Sequence, residues 1–417
     1  MKPGREEWYI GIEAGRRFTQ ISCYHAGQSE PETKSTLAGT ELYQIPTALC
    51  KRRQTGQWCI GEEGRRIAEA GEGYYAADLL KRAFYKETVS MDREYLAEEL
   101  LLVFFRKLLR MALPAKGVAA VTKCVFSLEK ITAESAEFIQ NLAERLGFAE
   151  EQILIQDHKE SFYAYVVSQE PALWQHQVLL FEEEGEGVYC RLLACNNKTK
   201  PKIARTSEAF LGKLPQVLQE RDQAFLSMLR KVLQGRIVSS VYLIGSGFEE
   251  NWMKDSLQMV CRGRRAFQGK NLYTRGACYA GMLQKHQQEA DTVYFCEYKI
   301  KEHIFLKVSR GDETFFCPLA EAGCNHHQVG KKLRILLKGD PVLELWMQQP
   351  GSREARIESL ELPGLSMTEE ETIRLLITVS PGEDGHIILN VQDLGFGIIR
   401  RGTGLEWEYE IGRDSHE

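Results

Sequence analysis

The chain has 417 residues, enough for two or three domains, and its 43% apolar and 27% charged residues are typical of a globular protein. Its net charge of −5 gives no argument for nucleic acid or an anionic membrane as a partner, and we expect neither. The N-terminus lacks the apolar segment of a signal peptide, and no stretch approaches the roughly 20 apolar residues of a membrane span. We therefore expect a cytoplasmic protein.

Eleven cysteines are scattered along the chain without a Cys-x-x-Cys pair. In a reducing cytosol most of them are expected to be small core residues. Cys317, Cys324, His326 and His327 form the one cluster of zinc-type side chains, but their spacing is not that of a familiar zinc site. The sequence therefore favours a polar turn between strands here, with zinc as the alternative, and we predict no metal site.

The N-terminal part opens with a β-hairpin. Two short apolar segments, 8–14 and 18–24, flank the turn Gly15-Arg16-Arg17. The periodicity then predicts, in chain order, strands at 42–50 and 57–60, a helix at 95–111, a strand at 119–127 and a helix at 132–146. Thr132 is the predicted N-cap of that last helix, although Ser135 does not complete the usual capping box.

The same plan of elements then recurs. The predicted elements are a strand at 153–156, a helix at 158–168, a hairpin of 177–181 and 188–194, helical patterning at 207–234, a strand at 238–244 and a helix at 272–288. The second hairpin carries the acidic turn EEEGEG, and the strand at 238–244 ends in Gly245-Ser246-Gly247. Two sheets that each open with a hairpin predict an internal duplication.

After Asp291 the pattern changes to short alternating strands. We predict strands at 303–308, 313–317, 332–338, 342–347, 373–379, 386–392 and 405–410. This predicts an antiparallel β-sandwich with almost no helix over residues 290–417. Strict alternation implies that six side chains face its core: Leu375, Ile377, Val379, Ile387, Leu389 and Val391.

Motifs spread over nearly the whole chain resemble those of the Hsp70 branch of the actin, Hsp70 and sugar-kinase superfamily. GIEAG at 11–15 is similar to the first phosphate loop, FEEEGEG at 181–187 lies where the second would be, and VYLIGSGF at 241–248 resembles the adenosine motif. The stretches IPTALC, LLKRAFYKE, ILIQDHKESFYAY and GKNLYTRGACYAGM follow the family order. IRLLITVSPGEDGHIILNVQDLGFG resembles the peptide-binding sandwich.

The resemblance implies an α/β two-lobed actin-like ATPase fold with duplicated ribonuclease H-like lobes. Lobe I would span residues 1–170, a reduced lobe II 171–289, and a β-sandwich without a helical lid 290–417. The resemblance implies that Glu13, Asp157 and Glu182 act on Mg²⁺ and water. It assigns nucleotide binding to Gly11, Gly15, Arg16, Arg17, Gly185, Gly187, Gly245, Ser246 and Gly247.

Departures from the family pattern argue against a working ATPase. Glu13 replaces an aspartate, and Arg16 and Arg17 replace two threonines. Glu184 and Glu186 stand where glycine backbone should touch phosphate. In a partly dry cleft each such charge would oppose a triphosphate by on the order of several kcal/mol. ATP with Mg²⁺ is thus a doubtful cofactor.

Two interpretations remain open for each part of this site. The acidic residues handle metal and water, or they are hairpin tips that face solvent. Arg16 and Arg17 hold phosphate, or they pair directly with the glutamates of the second hairpin and replace Mg-nucleotide. Residues 245–247 pass under an adenosine, or they form a tight strand-to-helix turn.

We expect a binding or scaffold protein with a weak or lost ATPase. Its sandwich captures a protein or peptide partner through strand-like main-chain bonds, or it is a structural domain. The alternative function is an active nucleotide-binding ATPase or chaperone of the Hsp70 class.

Overall fold

The computed structural model describes residues 7–25, 27–37, 39–183, 185–286, 292–310, 313–366, 371–382, 386–396 and 400–412. The chain divides into two compact units. Unit 1 comprises residues 1–194 and 206–289, and unit 2 comprises residues 195–205 and 290–417. The division at 289/290 coincides with the change of sequence pattern.

The first half of unit 1 is a sheet with helices around it. Its elements are β1 (Trp8–Ala14), β2 (Phe18–His25), β3 (Glu32–Thr33), β4 (Ile45–Pro46), β5 (Leu49–Arg52), β6 (Trp58–Cys59), α1 (Gly61–Glu69), β7 (Gly73–Ala76), α2 (Leu79–Phe84), β8 (Thr88–Ser90), β9 (Glu94–Leu96), α3 (Ala97–Arg110), β10 (Val121–Leu128), α4 (Ala133–Arg145), β11 (Ile153–Asp157) and α5 (His158–Val167). The main sheet has the order β11-β10-β1-β2-β3, and β4 also pairs with β2. Strands β1, β10 and β11 are parallel, whereas the β1–β2 hairpin is antiparallel.

Local sequence sets the helix ends around this sheet. The Thr132 hydroxyl accepts a hydrogen bond from the Ser135 backbone N–H, and the Ser135 hydroxyl accepts one from the Thr132 N–H. The capping box of α4 is therefore complete, and the sequence prediction that Ser135 would not complete it is wrong. A serine hydroxyl at the third position reaches back as a glutamate carboxylate does.

The second half continues with another sheet. Its elements are β12 (Gln177–Glu183), β13 (Val188–Asn196), β14 (Lys202–Gly212), α6 (Leu218–Leu233), β15 (Val238–Ile244), α7 (Asp255–Val260), β16 (Arg265–Gly269) and α8 (Leu272–His286). Strand β17 (Thr292–Phe295) belongs to unit 2 and pairs with residues 202–205 of β14, which also belong to unit 2. The order is β16-β15-β12-β13-β14-β17. The β12–β13 hairpin is antiparallel, and β12, β15 and β16 are parallel. The five strands from β12 to β16 thus repeat the order of β1, β2, β3, β10 and β11.

The helical patterning predicted from residue 207 is wrong for residues 207–212. These residues continue β14 beside β13, and the helix that follows, α6, begins at Leu218. Pairing with a neighbouring strand overrides the local period here, as it does for many short segments of mixed character.

Unit 2 contains two four-stranded sheets. Its further strands are β18 (His303–Arg310), β19 (Glu313–Ala320), β20 (Lys331–Lys338), β21 (Val342–Gln348), β22 (Arg356–Glu361), β23 (Thr372–Pro381), β24 (Ile387–Asp393) and β25 (Glu406–Ile411). The sheet orders are β19-β18-β21-β22 and β20-β23-β24-β25, and every pairing in both is antiparallel. Strand β22, whose sequence RIESLE is rich in charge, was not predicted.

The predicted alternation in the C-terminal strands is confirmed. The six side chains assigned to the core of unit 2 are at most 1% exposed. They pack with residues of both sheets into one apolar cluster that runs in sequence from Ile300 to Ile411. In the described part of unit 2 helical structure is limited to a 3₁₀ turn at His326–Gln328.

Seven of the eleven cysteines are buried, as expected for small core residues. No helix within the described ranges is long and apolar enough to cross a membrane.

A buried charge cluster as candidate functional site

Seven side chains of unit 1 form a network where the ends of the two hairpin sheets meet helices α5 and α8. We call it the bridging cluster. The first half contributes Glu13 on β1 with His158 and Lys159 on α5. The second half contributes Glu182 on β12, Arg191 on β13, Glu208 on β14 and Tyr273 on α8.

Arg191 lies at the centre of the bridging cluster and is 5% exposed. Its Nη1 donates to Oε2 of Glu182 and to the hydroxyl of Tyr273. Its Nε lies 2.7 Å from Oε2 of Glu208. Burial by itself would lower the pKa of Arg191, but Tyr273 and Glu182 raise it above its ordinary value. The guanidinium is therefore a fixed cation held between two carboxylates.

Tyr273 connects Glu182 to α5. Its hydroxyl donates to Oε2 of Glu182 at 2.9 Å, and its ring stacks on His158 with centroids 4.0 Å apart. Burial raises the pKa of Tyr273 well above its ordinary value, so the phenol stays protonated and remains a donor.

His158 is buried and stays neutral. Burial, and then the charge of Arg191, hold the pKa of His158 well below its usual range. Nε2 of His158 lies 3.8 Å from Oε1 of Glu13, a polar contact of a neutral ring rather than an ion pair. Neither ring nitrogen has a hydrogen-bond partner among the described residues.

A second link between the halves runs through Lys159, which is 8% exposed. Its Nζ lies 3.9 Å from Oε1 of Glu208, the residue whose other oxygen contacts Arg191. Lys159 follows His158 on α5, so the contacts form a circuit between the two halves of the unit.

Some of the site residues predicted from the sequence belong to the bridging cluster and others lie outside it. Glu13 and Glu182 belong to it. Asp157 is buried at the end of β11 and accepts the Glu160 backbone N–H at 2.7 Å, which makes it the N-cap of α5. This bond gives Asp157 a structural role.

The predicted pairing of Arg16 or Arg17 with the second hairpin is wrong for the described residues. Nη2 of Arg16 lies 3.4 Å from Asp78, and its side chain is 60% exposed. Arg17 is also exposed, and Glu182 takes its cation from Arg191 instead. The two halves are thus joined by opposite charges, but through residues behind the hairpin tips. Glu184 lies outside the described residues, and Glu186 is exposed.

The Gly245-Ser246-Gly247 turn is packed from within. A Cβ on Gly247 would lie 1.3 Å from Oε2 of Glu183, and one on Gly245 would lie 2.2 Å from the Glu183 carbonyl oxygen. Arg221 donates to that carboxylate at 3.2 Å and to the Gly247 carbonyl at 3.3 Å. Trp252 Nε1 donates to the same carbonyl at 2.9 Å, with Arg221 over its ring.

The remaining glycines that were predicted to bind nucleotide have structural roles in close packing and in turns. A Cβ on Gly11 would lie 2.2 Å from the Thr274 carbonyl oxygen, so this glycine lets α8 lie against β1. Gly15 closes the first hairpin through its N–H to the Phe18 carbonyl at 3.0 Å. Gly185 and Gly187 have φ of +83° and +139°, values that favour glycine in the second turn.

The zinc-type residues are not brought together in a metal site. His326 Nδ1 lies 3.2 Å from the Tyr298 carbonyl oxygen, and burial lowers the pKa of His327 to about 4. Nowhere in the described ranges do three or more His, Cys, Asp or Glu side chains form a group that could hold a metal ion.

Sequence reasoning missed five members of the cluster: His158, Lys159, Arg191, Glu208 and Tyr273. One signal was available. Arg191 is the single charged residue in the apolar strand VYCRLLA, and a cation inside a buried strand requires a partner.

Two positions that the resemblance assigns to Mg-ATP are already occupied by side chains of unit 1. Glu182, which the resemblance assigns to Mg²⁺ and water, is occupied by Arg191 and Tyr273. The turn assigned to adenosine is filled by Glu183, with Arg221 and Trp252 on the Gly247 carbonyl. A nucleotide would have to displace buried, mutually paired side chains.

A family model described as "Family of unknown function (DUF5716) C-terminal" matches residues 30–297. The chain belongs to the DUF5716 family. A second model, described as "Domain of unknown function (DUF8552)", matches residues 299–412. No curated protein matches the sequence.

The DUF5716 match contains six of the seven cluster residues, all except Glu13. The first hairpin, with Arg16 and Arg17, precedes it. The DUF8552 match covers β18 to β25 of unit 2.

Proposed function

We propose that this chain is a binding or scaffold protein of Hsp70-like architecture that does not run an ATP cycle. In this proposal the bridging cluster replaces Mg-nucleotide and joins the two halves of unit 1 permanently. The β-sandwich of unit 2 binds a protein or peptide partner.

Strand order supports the architectural part. Two sheets with the same order, each opened by an antiparallel hairpin and continued by parallel strands, are what duplicated ribonuclease H-like lobes require. Helices α5 and α8 cross closely, since a Cβ on Gly276 would lie 2.0 Å from the Ser161 carbonyl oxygen. An antiparallel sandwich follows, as in the Hsp70 order of domains.

The burial of Arg191 is the observation that best supports the proposed loss of the ATP cycle. The Arg191 guanidinium, held by Glu182 and Glu208, supplies at Glu182 the positive charge that the resemblance would assign to Mg²⁺ there. Opening this cluster to admit a nucleotide would leave buried charges without partners, which is strongly unfavourable. The ground state is therefore the closed, nucleotide-free one.

Calorimetric titration and thermal unfolding with Mg-ATP and Mg-ADP test this proposal. A ligand at 100 times its Kd would stabilise the native chain by about 2.7 kcal/mol. We expect no saturable heat and no change in melting temperature, with adenosine and Mg²⁺ alone as controls. Saturable stabilisation by Mg-ATP would overturn the proposal and favour the alternative, an active ATPase of the Hsp70 class.

A further inference from the structure

The sheet β20-β23-β24-β25 of unit 2 has edge strands of opposite charge. The exposed side chains of β20 are Lys332, Arg334, Leu336 and Lys338. The exposed side chains of β25 are Glu406, Glu408 and Glu410. One edge of the sheet is therefore basic and the other acidic.

Both sets of side chains lie on the same face of the sheet. The register aligns Lys332 with Thr378, Thr378 with Asn390, and Asn390 with Glu408. Residues paired directly across a ladder point to the same side. The neighbouring row links Arg334 to Glu406 in the same way.

Both strands end the sheet. Within the described ranges β20 pairs with β23 alone, and β25 with β24 alone. An edge strand presents a row of backbone N–H and C=O groups that can pair with another strand. Leu336, in the middle of the basic edge, is 62% exposed, so a strand added there would also bury apolar surface.

We propose that β25 of one copy of this chain adds to β20 of another, through main-chain bonds and matched charges. Like edges repel each other, so pairing of β20 with β20 or of β25 with β25 is disfavoured. Pairing of unlike edges is head-to-tail, and such a contact repeats from copy to copy unless it closes into a ring.

The geometry of the sheet allows this addition. Alternate strands of the sheet run in opposite directions, so β20 and β25 are antiparallel to each other. A copy shifted along the sheet therefore places its β25 antiparallel to β20, with both outer faces on one side. With Glu408 opposite Arg334, Glu410 lies opposite Lys332. With Glu408 opposite Leu336, the flanking glutamates lie opposite Arg334 and Lys338.

This inference goes beyond the proposed function. A chain that binds no nucleotide need not self-associate, and a self-associating chain could still bind ATP. The nucleotide titration tests the proposed function and the sedimentation experiment tests self-association, so a negative result in one leaves the other proposal standing.

Sedimentation velocity of the full chain over a concentration series tests the proposal. At about 0.1 M salt, where the Debye length is about 10 Å, we expect the average mass to rise at least twofold above that of one chain. At about 1 M salt, where it is about 3 Å, the mass should fall toward one chain. A chain that stays monomeric at every concentration would overturn the proposal.

Charge reversal identifies the interface. Lys332→Glu with Arg334→Glu makes both edges acidic, and Glu406→Lys with Glu408→Lys makes both edges basic. Each variant alone should be monomeric, and an equimolar mixture should associate again. Arg353→Glu, at an exposed position outside both strands, is the matched control and should associate like the natural chain. Association of either single-edge variant to the natural extent would overturn the proposal. Circular dichroism verifies that each variant is folded.

Discussion

At the scale of single residues, the charges of the bridging cluster are held by one another. Arg191 is almost completely buried, and its partners Glu182 and Glu208 are mostly shielded from water. A buried guanidinium is stable only because its carboxylate partners offset the loss of hydration. Removing one member should therefore lower the free energy of unfolding by more than the cluster as a whole contributes to it.

We predict that Arg191→Met destabilises unit 1 by about 3 kcal/mol, the low end of the range for breaking a buried pair, because the two carboxylates that lose their cation are not completely shielded from water. Urea unfolding followed by circular dichroism measures the loss. The triple variant Arg191→Met, Glu182→Gln, Glu208→Gln removes the charges together and should recover a large part of it. If the single variant were as stable as the natural chain, the cluster would not hold the two halves together.

At the scale of elements, helices α5 and α8 pack at a crossing that has no room for a side chain. A Cβ on Gly276 of α8 would lie 2.0 Å from the backbone oxygen of Ser161 on α5. The same helix lies against β1 at Gly11. These contacts set the position of Tyr273, one turn before Gly276, and hence its stacking on His158.

Gly276→Ala should therefore destabilise the chain by about 1–3 kcal/mol, since one of the two helices must shift. Thermal unfolding measures the effect. Gly269→Ala is the matched control: a Cβ there meets nothing within 4 Å, and the backbone is not left-handed. Equal stability of the two variants would contradict the close crossing.

At the scale of the whole molecule, the core of the β-sandwich is self-contained. Among the residues that the structure describes, its buried cluster is formed by residues between Ile300 and Ile411 and includes none from unit 1. An apolar core supplied by one contiguous segment is what an independently folding domain requires.

We predict that a fragment of residues 299–412 folds alone and unfolds cooperatively. Far-UV circular dichroism should show a β spectrum and a single sigmoidal melt. Leu375→Asp, which introduces a charge at a fully buried position, should abolish the transition and serves as the negative control. A fragment without a cooperative melt would mean that its core depends on unit 1.

The sequence by itself determined the local elements. Strict alternation placed the six core residues of β23 and β24, since the period of two that sets strand faces is written in consecutive positions. Both hairpins were predicted to within two residues at each strand end, and helix α5 was predicted directly after β11. The strand at residues 207–212 was not predicted, because these residues form a strand only through pairing with β13.

Only the tertiary structure decided which charges meet. The sequence indicated opposite charges on the two hairpins and predicted that Arg16 or Arg17 would join them, but Arg16 pairs with Asp78, 62 residues away. Arg191 joins Glu182 and Tyr273 instead, across 9 and 82 residues of sequence. No local period encodes such partners, because they depend on how sheets and helices pack. The sequence patterns that determine each helix and strand therefore do not determine which residues form the site, because tertiary packing brings those residues together.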